Sequence, residues 1–180
     1  MQQKPKLRTY IQLKTELRFE AYLKTRDREA REVMTRLRGG TNELRIETGR
    51  YPITNRDRPL EVNERRCLIC MSGEIEDETH FLLDCNVFED LRQRMLEVVS
   101  SILSRQLQPI ETETAKNWGR EKEILAALMG ELFTSNPNWE QQRCIFAKRA
   151  MKRRNTTVRE RLDQKILDLN RDAKRKAIRQ

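Results

Sequence analysis

The sequence predicts a mainly α fold: a small helical domain braced by a Cys–Cys–His–Cys turn, with a basic C-terminal helix. Three observations carry this. Three of the four cysteines and the only histidine fall within nineteen positions, as Cys67, Cys70, His80 and Cys85. Apolar residues recur three and four apart over much of the chain, the period of a helix with one buried face. Glycine and proline are few, six and five in 180 residues, which disfavours a turn-rich β fold. Charged residues make up 36% of the chain, against roughly 25% in an average globular protein, so the core is modest and much helical surface stays solvated.

In chain order, Leu7, Tyr10, Ile11, Leu17, Tyr22 and Leu23 fit one or two helices. A further helix is expected over 28–38, capped by Thr25 or Asp27, with Ala30, Val33, Met34 and Leu37 inward. Gly39-Gly40 stops it, because glycine accepts the left-handed conformation that helix ends favour. Asn42 opens a short turn through Leu44 and Ile46 to Gly49. Residues 1–50 thus read as a basic helical segment, whose arginines are expected either to line a nucleic-acid face or, for many of them, to pair with Glu16, Glu20, Glu29 and Glu32.

Residues 51–105 read as the Cys/His module and its following helix, entered through a loop with two prolines. Asn86-Val-Phe-Glu89 has the form of a capping box, and Phe88, Leu91, Met95, Val98 and Ile102 make one face beyond it. Residues 106–116 are polar and without period, a linker. In 117–180, the stretch 121–133 is apolar on most sides, the mark of a helix buried between others or at an interface. Trp118 and Trp139 bracket it, as core anchors or as base-stacking platforms. Asn136-Pro137 signals a helix start. A break is expected near Asn155-Thr-Thr157, because Thr157-Val-Arg-Glu160 forms a second capping box. After it, Val158, Leu162, Ile166, Leu169 and Ala173 form a narrow apolar stripe among lysines and arginines.

A structural zinc takes four soft or borderline N/S ligands in a tetrahedron. Cys67-Leu-Ile-Cys70 supplies two thiolates from one tight turn. His80 and Cys85 are five apart, so a helical turn carrying His80, with a cysteine just past its end, closes the set. Scattered buried thiols seldom fall at such spacing, and nothing in the sequence suggests the secretion that disulfides need. The set leaves no open position for a catalytic water, so Zn2+ is expected as a structural ion. Cys144, 59 residues beyond Cys85, reads as a buried thiol.

Around this turn the sequence resembles a known family. Leu37-Arg-Gly-Gly, Leu44-Arg-Ile-Glu-Thr-Gly-Arg-Tyr51, Arg66-Cys-Leu-Ile-Cys70 and Glu76-Asp-Glu-Thr-His-Phe-Leu-Leu-Asp-Cys85 are similar to the zinc-binding region that ends many non-LTR (LINE-type) retrotransposon reverse transcriptases. The resemblance covers about Arg36 to Leu96. It implies Cys67, Cys70, His80 and Cys85 as metal ligands, and a module beyond the polymerase that binds template RNA or target DNA. The sequence has no Asp-Asp pair, so the polymerase signature itself is absent. The nine-residue middle spacing also differs from the retroviral zinc knuckle.

The net charge of +9 is unevenly placed. Residues 1–66 carry +7, residues 67–144 carry −7, and residues 145–180 carry +9. Basic ends suggest contact with a polyanion, RNA or DNA, through Arg65, Arg66, Lys152, Arg153, Arg154, Arg159, Arg161, Arg171, Lys174, Arg175 and Lys176. Glu74, Glu76, Asp77, Glu78, Asp84, Glu89 and Asp90 are expected to form an acidic face that repels phosphate, making the zinc turn a clamp and not a reading surface. The competing expectation is a helical interaction module that forms a homo-oligomer or docks within a parent polyprotein. Catalysis ranks last, since no nucleophile motif or Gly-rich phosphate loop is present and the histidine is engaged. No apolar stretch reaches the roughly 20 residues of a membrane span, and a nuclear or cytoplasmic location is expected.

Overall fold

Helix carries most of the chain. The computed structural model describes residues 7–14, 19–52, 58–103, 125, 127–129 and 137–178. Its α-helices are α1 (Arg8–Leu13), α2 (Arg28–Gly39), the single turn α3 (Arg45–Thr48), α4 (Glu89–Leu103) and α5 (Pro137–Ile178). Among the described residues there is no strand, only an isolated antiparallel bridge between Arg66 and Ile75. No helix among them is long and apolar enough to cross a membrane. The expected linker 106–116, Trp118 and most of 121–133 lie outside the described residues, although Leu125 and Ala127–Met129 are helical and buried.

Helix α2 forms where its caps and apolar spacing demand. The Asp27 carboxylate accepts from the Ala30 N–H at 3.0 Å, and Gly40 closes the helix at φ 61°. Ala30, Met34 and Leu37 are buried. Leu44, Ile46, Phe81, Leu82, Phe88, Leu91 and Met95 extend the same core. Phe81 and Phe88 meet edge to face, with ring centroids 5.1 Å apart.

Helix α5, 42 residues or about 63 Å long, packs along α2 and α4. Its buried side chains are Trp139, Glu140, Arg143, Cys144, Phe146, Ala147, Ala150, Met151 and Arg154, a stripe stepping by three and four. Ala147 and Ala150, fully buried, let the helices approach closely. Arg143 donates to the Leu128 carbonyl at 3.1 Å and pairs with Glu140, joining the buried 127–129 stretch to α5. Lys148 pairs with Asp27 at 2.7 Å and Glu29 at 2.9 Å, tying α5 to the start of α2.

Two expectations are corrected here. The helix does not break at Asn155-Thr-Thr157. Asn155 donates to Glu43 and accepts from Arg154, so its side chain does not compete for the backbone. The modest propensity cost of Asn and Thr is outweighed by tertiary contacts on either side. Nor does Asn86 cap α4: residues Asn86–Phe88 form a 3-10 turn with no side-chain cap, and α4 follows at Glu89.

Two of the expected N-terminal pairs form, Arg36 on Glu32 at 2.6 Å and Arg38 on Glu20 at 2.8 Å, whereas Glu29 pairs with Lys148, Arg31 donates to the Thr25 carbonyl, and Glu16 lies outside the described residues. Arg38 also lies over the Tyr10 and Tyr22 rings, at 5.0 and 5.6 Å.

Gly49 is required by a close approach. A Cβ there would stand 2.8 Å from both the Arg45 carbonyl oxygen and Arg65 Cγ. Arg65 crosses this point to donate to Leu60 O and Ile46 O, at 2.8 and 3.0 Å. Gly49→Ala is therefore expected to cost about 1–3 kcal/mol, the usual range for overpacking. A urea midpoint equal to that of the unaltered chain would contradict this packing.

Candidate metal centre

A short hairpin and one wide helical turn build the site. Cys67 N–H donates to Glu74 O at 2.8 Å and Glu76 N–H to Arg65 O at 2.9 Å, pairing the chain on both sides of the Cys-x2-Cys turn. The return passes through Met71 at φ 60° and Gly73 at φ 85°. Only Gly73 takes this left-handed backbone without cost.

His80 and Cys85 are brought over one another by a π-turn, His80–Asp84, closed by the Cys85 N–H on the His80 carbonyl at 2.8 Å. In an α-helix, residues five apart are rotated by about 140° and point apart. The wider i→i+5 winding turns less per residue and brings them onto the same side. Asp77 starts the turn by accepting from the His80 N–H at 2.9 Å, a cap three residues ahead. Arg92 from α4 closes its far end, donating to the carbonyls of Leu82 and Cys85, both at 3.0 Å.

The result is a cluster of Cys67, Cys70, His80 and Cys85 whose ligand atoms all lie within 4.8 Å of one another. His80 Nε2 faces inward, 3.3 Å from Cys70 Sγ. Its Nδ1 is buried with no partner among the described residues. The tetrahedral edge around a zinc with bonds of about 2.3 Å to sulfur is about 3.8 Å, so modest contraction seats four ligands on one ion. Three thiols and an imidazole are also the donor set that zinc favours over hard cations. The crowding couples their protons. A hydrogen bond from Cys85 holds Cys67 down to about 3, and the same contact pushes Cys85 upward. His80 is raised to about 9, chiefly by its hydrogen bond to Cys67.

Cys144 lies apart from this cluster, fully buried, and accepts from the Thr25 hydroxyl at 3.7 Å. Burial pushes its thiol upward.

The basic residues singled out from sequence divide into two sets. Arg65, Arg153 and Arg154 are engaged within the fold: Arg65 on the Leu60 and Ile46 carbonyls, Arg153 on Asp90 and Val87 O, and Arg154 on Glu76. Arg66, Lys152, Arg159, Arg161 and Arg171 have exposed side chains. Of these, Arg66 also donates to Asn63 O, Arg161 to Leu68 O, and Arg171 pairs with Asp168. The side chains of Lys174, Arg175 and Lys176 lie outside the described residues.

The expected acidic face is corrected. Glu74 and Asp84 are exposed, but Glu76 and Glu78 are buried and bound inward, Glu76 by Arg154 and Glu78 by Asn42 at 3.0 Å. Sequence reasoning missed Glu76, Arg154 and Arg92 as supports of the cluster, because their partners are far along the chain or are backbone carbonyls. The Asp77 cap, in contrast, is signalled by Asp-x-x-His spacing ahead of an apolar run. Comparison with protein-family models, curated proteins and solved structures returns no match.

Proposed function

We propose that the chain is a zinc-stabilised nucleic-acid-binding module, without polymerase activity of its own, whose C-terminal helix holds RNA or DNA by its backbone. One observation carries the reading. Helix α5 runs on past its docked half, and Lys152, Arg159, Arg161, Lys165 and Arg171 on it are exposed. A rigid helix with this charge follows a phosphate backbone without ordering cost at the moment of binding. The resemblance of residues 36–96 to the tail of LINE-type reverse transcriptases supports the same partner. Zinc, in this reading, is a structural ion that fixes the platform from which the helix projects.

With about six phosphate contacts, log K against log salt should slope by about −4 on single strands and about −5 on duplex DNA. Truncation after Leu162 removes six Lys/Arg while keeping the engaged Arg154 and Arg161. The expected result is a fall in affinity of at least about tenfold near physiological salt and a visibly flatter slope. Binding should be nearly indifferent to sequence, because phosphate contacts position a protein without reading bases.

A second reading has its own observation. Leu162, Ile166 and Leu167 are 55%, 56% and 51% exposed. Those side chains suit a helical interaction module. Unchanged nucleic-acid affinity after the truncation, together with loss of an oligomer in solution, would decide for it.

A further inference from the structure

Directly behind Cys67 the cluster meets α5. Glu76 is 1% exposed, and its Oε1 lies 3.9 Å from Cys67 Sγ. Arg154, 5% exposed, closes on that carboxylate with two parallel bonds of 2.8 Å, Nε to Oε1 and Nη2 to Oε2. Two other arginines of the same helix hold the backbone beside the cluster. Arg161 donates to the carbonyl of Leu68, inside the Cys-x2-Cys turn, and Arg153 to that of Val87, two residues past Cys85.

We propose that Arg154 is an outer-shell positioning residue of the metal centre: its charge makes the Glu76 carboxylate compatible with a thiolate at Cys67, so that metal binding and the docking of α5 support each other. This rests on the reading of the cluster as a zinc site. Zinc held by three thiolates and a neutral imidazole leaves a net negative centre, and a bare buried carboxylate beside Cys67 opposes it. The Arg154 guanidinium cancels that carboxylate, and its planar fork fixes where the carboxylate sits. Glu76 Oε2 also accepts from the Arg45 N–H at 2.8 Å, so one carboxylate joins α3, the cluster and α5. Loss of an outer-shell partner typically lowers metal affinity 10–100-fold. Coupling of this kind is reciprocal, so bound metal tightens the grip of the Cys/His cluster on α5 by the same factor.

The test is Zn2+ affinity of the whole chain, measured by competition with a chromophoric chelator. Arg154→Met should bind Zn2+ about 10–100-fold more weakly. Arg154→Lys keeps the charge but not the paired geometry and should lose less. Arg154→Met combined with Glu76→Gln should recover most of the affinity, because neither charge is then stranded and the glutamine oxygen still accepts from Arg45. Arg143→Met removes another buried arginine of α5, whose partners Glu140, Leu128 O and the Tyr22 ring lie elsewhere, and should lower Zn2+ affinity far less than Arg154→Met. Affinity in Arg154→Met equal to that of the unaltered chain would overturn the proposal. So would a double variant no tighter than the single one, which is what a role confined to packing α5 gives. Failure of the unaltered chain to take up Zn2+ is a different result, and it would remove the zinc reading itself.

Discussion

Replacing His80 with alanine should unfold the region 58–103 while the contacts between α2 and α5 persist. The described backbone between Arg58 and Phe88 has little regular structure of its own, one isolated bridge, two 3-10 turns and a single π-turn, and its side-chain ties such as Glu76–Arg154 and Arg65 on Ile46 O need the turn already in place. Its apolar contribution is Ile69, Phe81, Leu82 and Phe88, with Ile75, Leu83 and Val87 partly buried against them, a small core. Ligation in small zinc units is worth about 10–16 kcal/mol near neutral pH, comparable to the roughly 5–15 kcal/mol that stabilises a whole domain. Removing one ligand therefore removes most of what orders this segment. Hydrogen exchange should become fast across 58–95 in His80→Ala, and likewise in Cys70→Ser. Cys144→Ser, at a thiol that accepts from Thr25 and lies apart from the cluster, should keep both protection and metal. Protection over 58–95 that survives His80→Ala would mean the apolar contacts suffice.

Glu76→Ala is expected to cost about 3–5 kcal/mol, the range for removing one member of a buried ion pair. It strands the Arg154 guanidinium in a site 5% exposed and leaves the Arg45 N–H without its acceptor. Glu74→Gln, two residues away in sequence but exposed, is the comparison, and a surface change of this kind stays within about 0.5 kcal/mol. Denaturant unfolding of the two variants separates them. Equal midpoints would place Glu76 on the surface with Glu74, as the sequence alone suggests. Loss of stability also changes how such variants report on nucleic acid: weakened binding in Glu76→Ala reflects a displaced α5, not a lost contact.

What the sequence made legible was local. Asp27 before Ala30, Gly40 after α2, Pro137 at the start of α5 and the five-residue step from His80 to Cys85 each act through neighbouring backbone, so their chemistry is written in adjacent letters. The apolar spacing of Ala30, Met34 and Leu37 gave the inward face of α2 for the same reason. Long-range pairing was not legible. Arg154 and Glu76 are 78 residues apart, and both look like solvated charges until α5 is laid along the Cys/His cluster. The capping-box pattern at Thr157 was overruled because Arg154 and Arg161 fasten the helix on both sides of it. A local signal worth a fraction of a kcal/mol yields to contacts worth more.

The direct measurement of the central claim is metal content. Freshly prepared, reduced protein analysed by elemental and native mass spectrometry should carry one zinc ion per chain, bound by Cys67, Cys70, His80 and Cys85, and should still carry it after Cys144→Ser. Less than half an ion per chain, or zinc lost with Cys144 and kept without His80, would contradict the account.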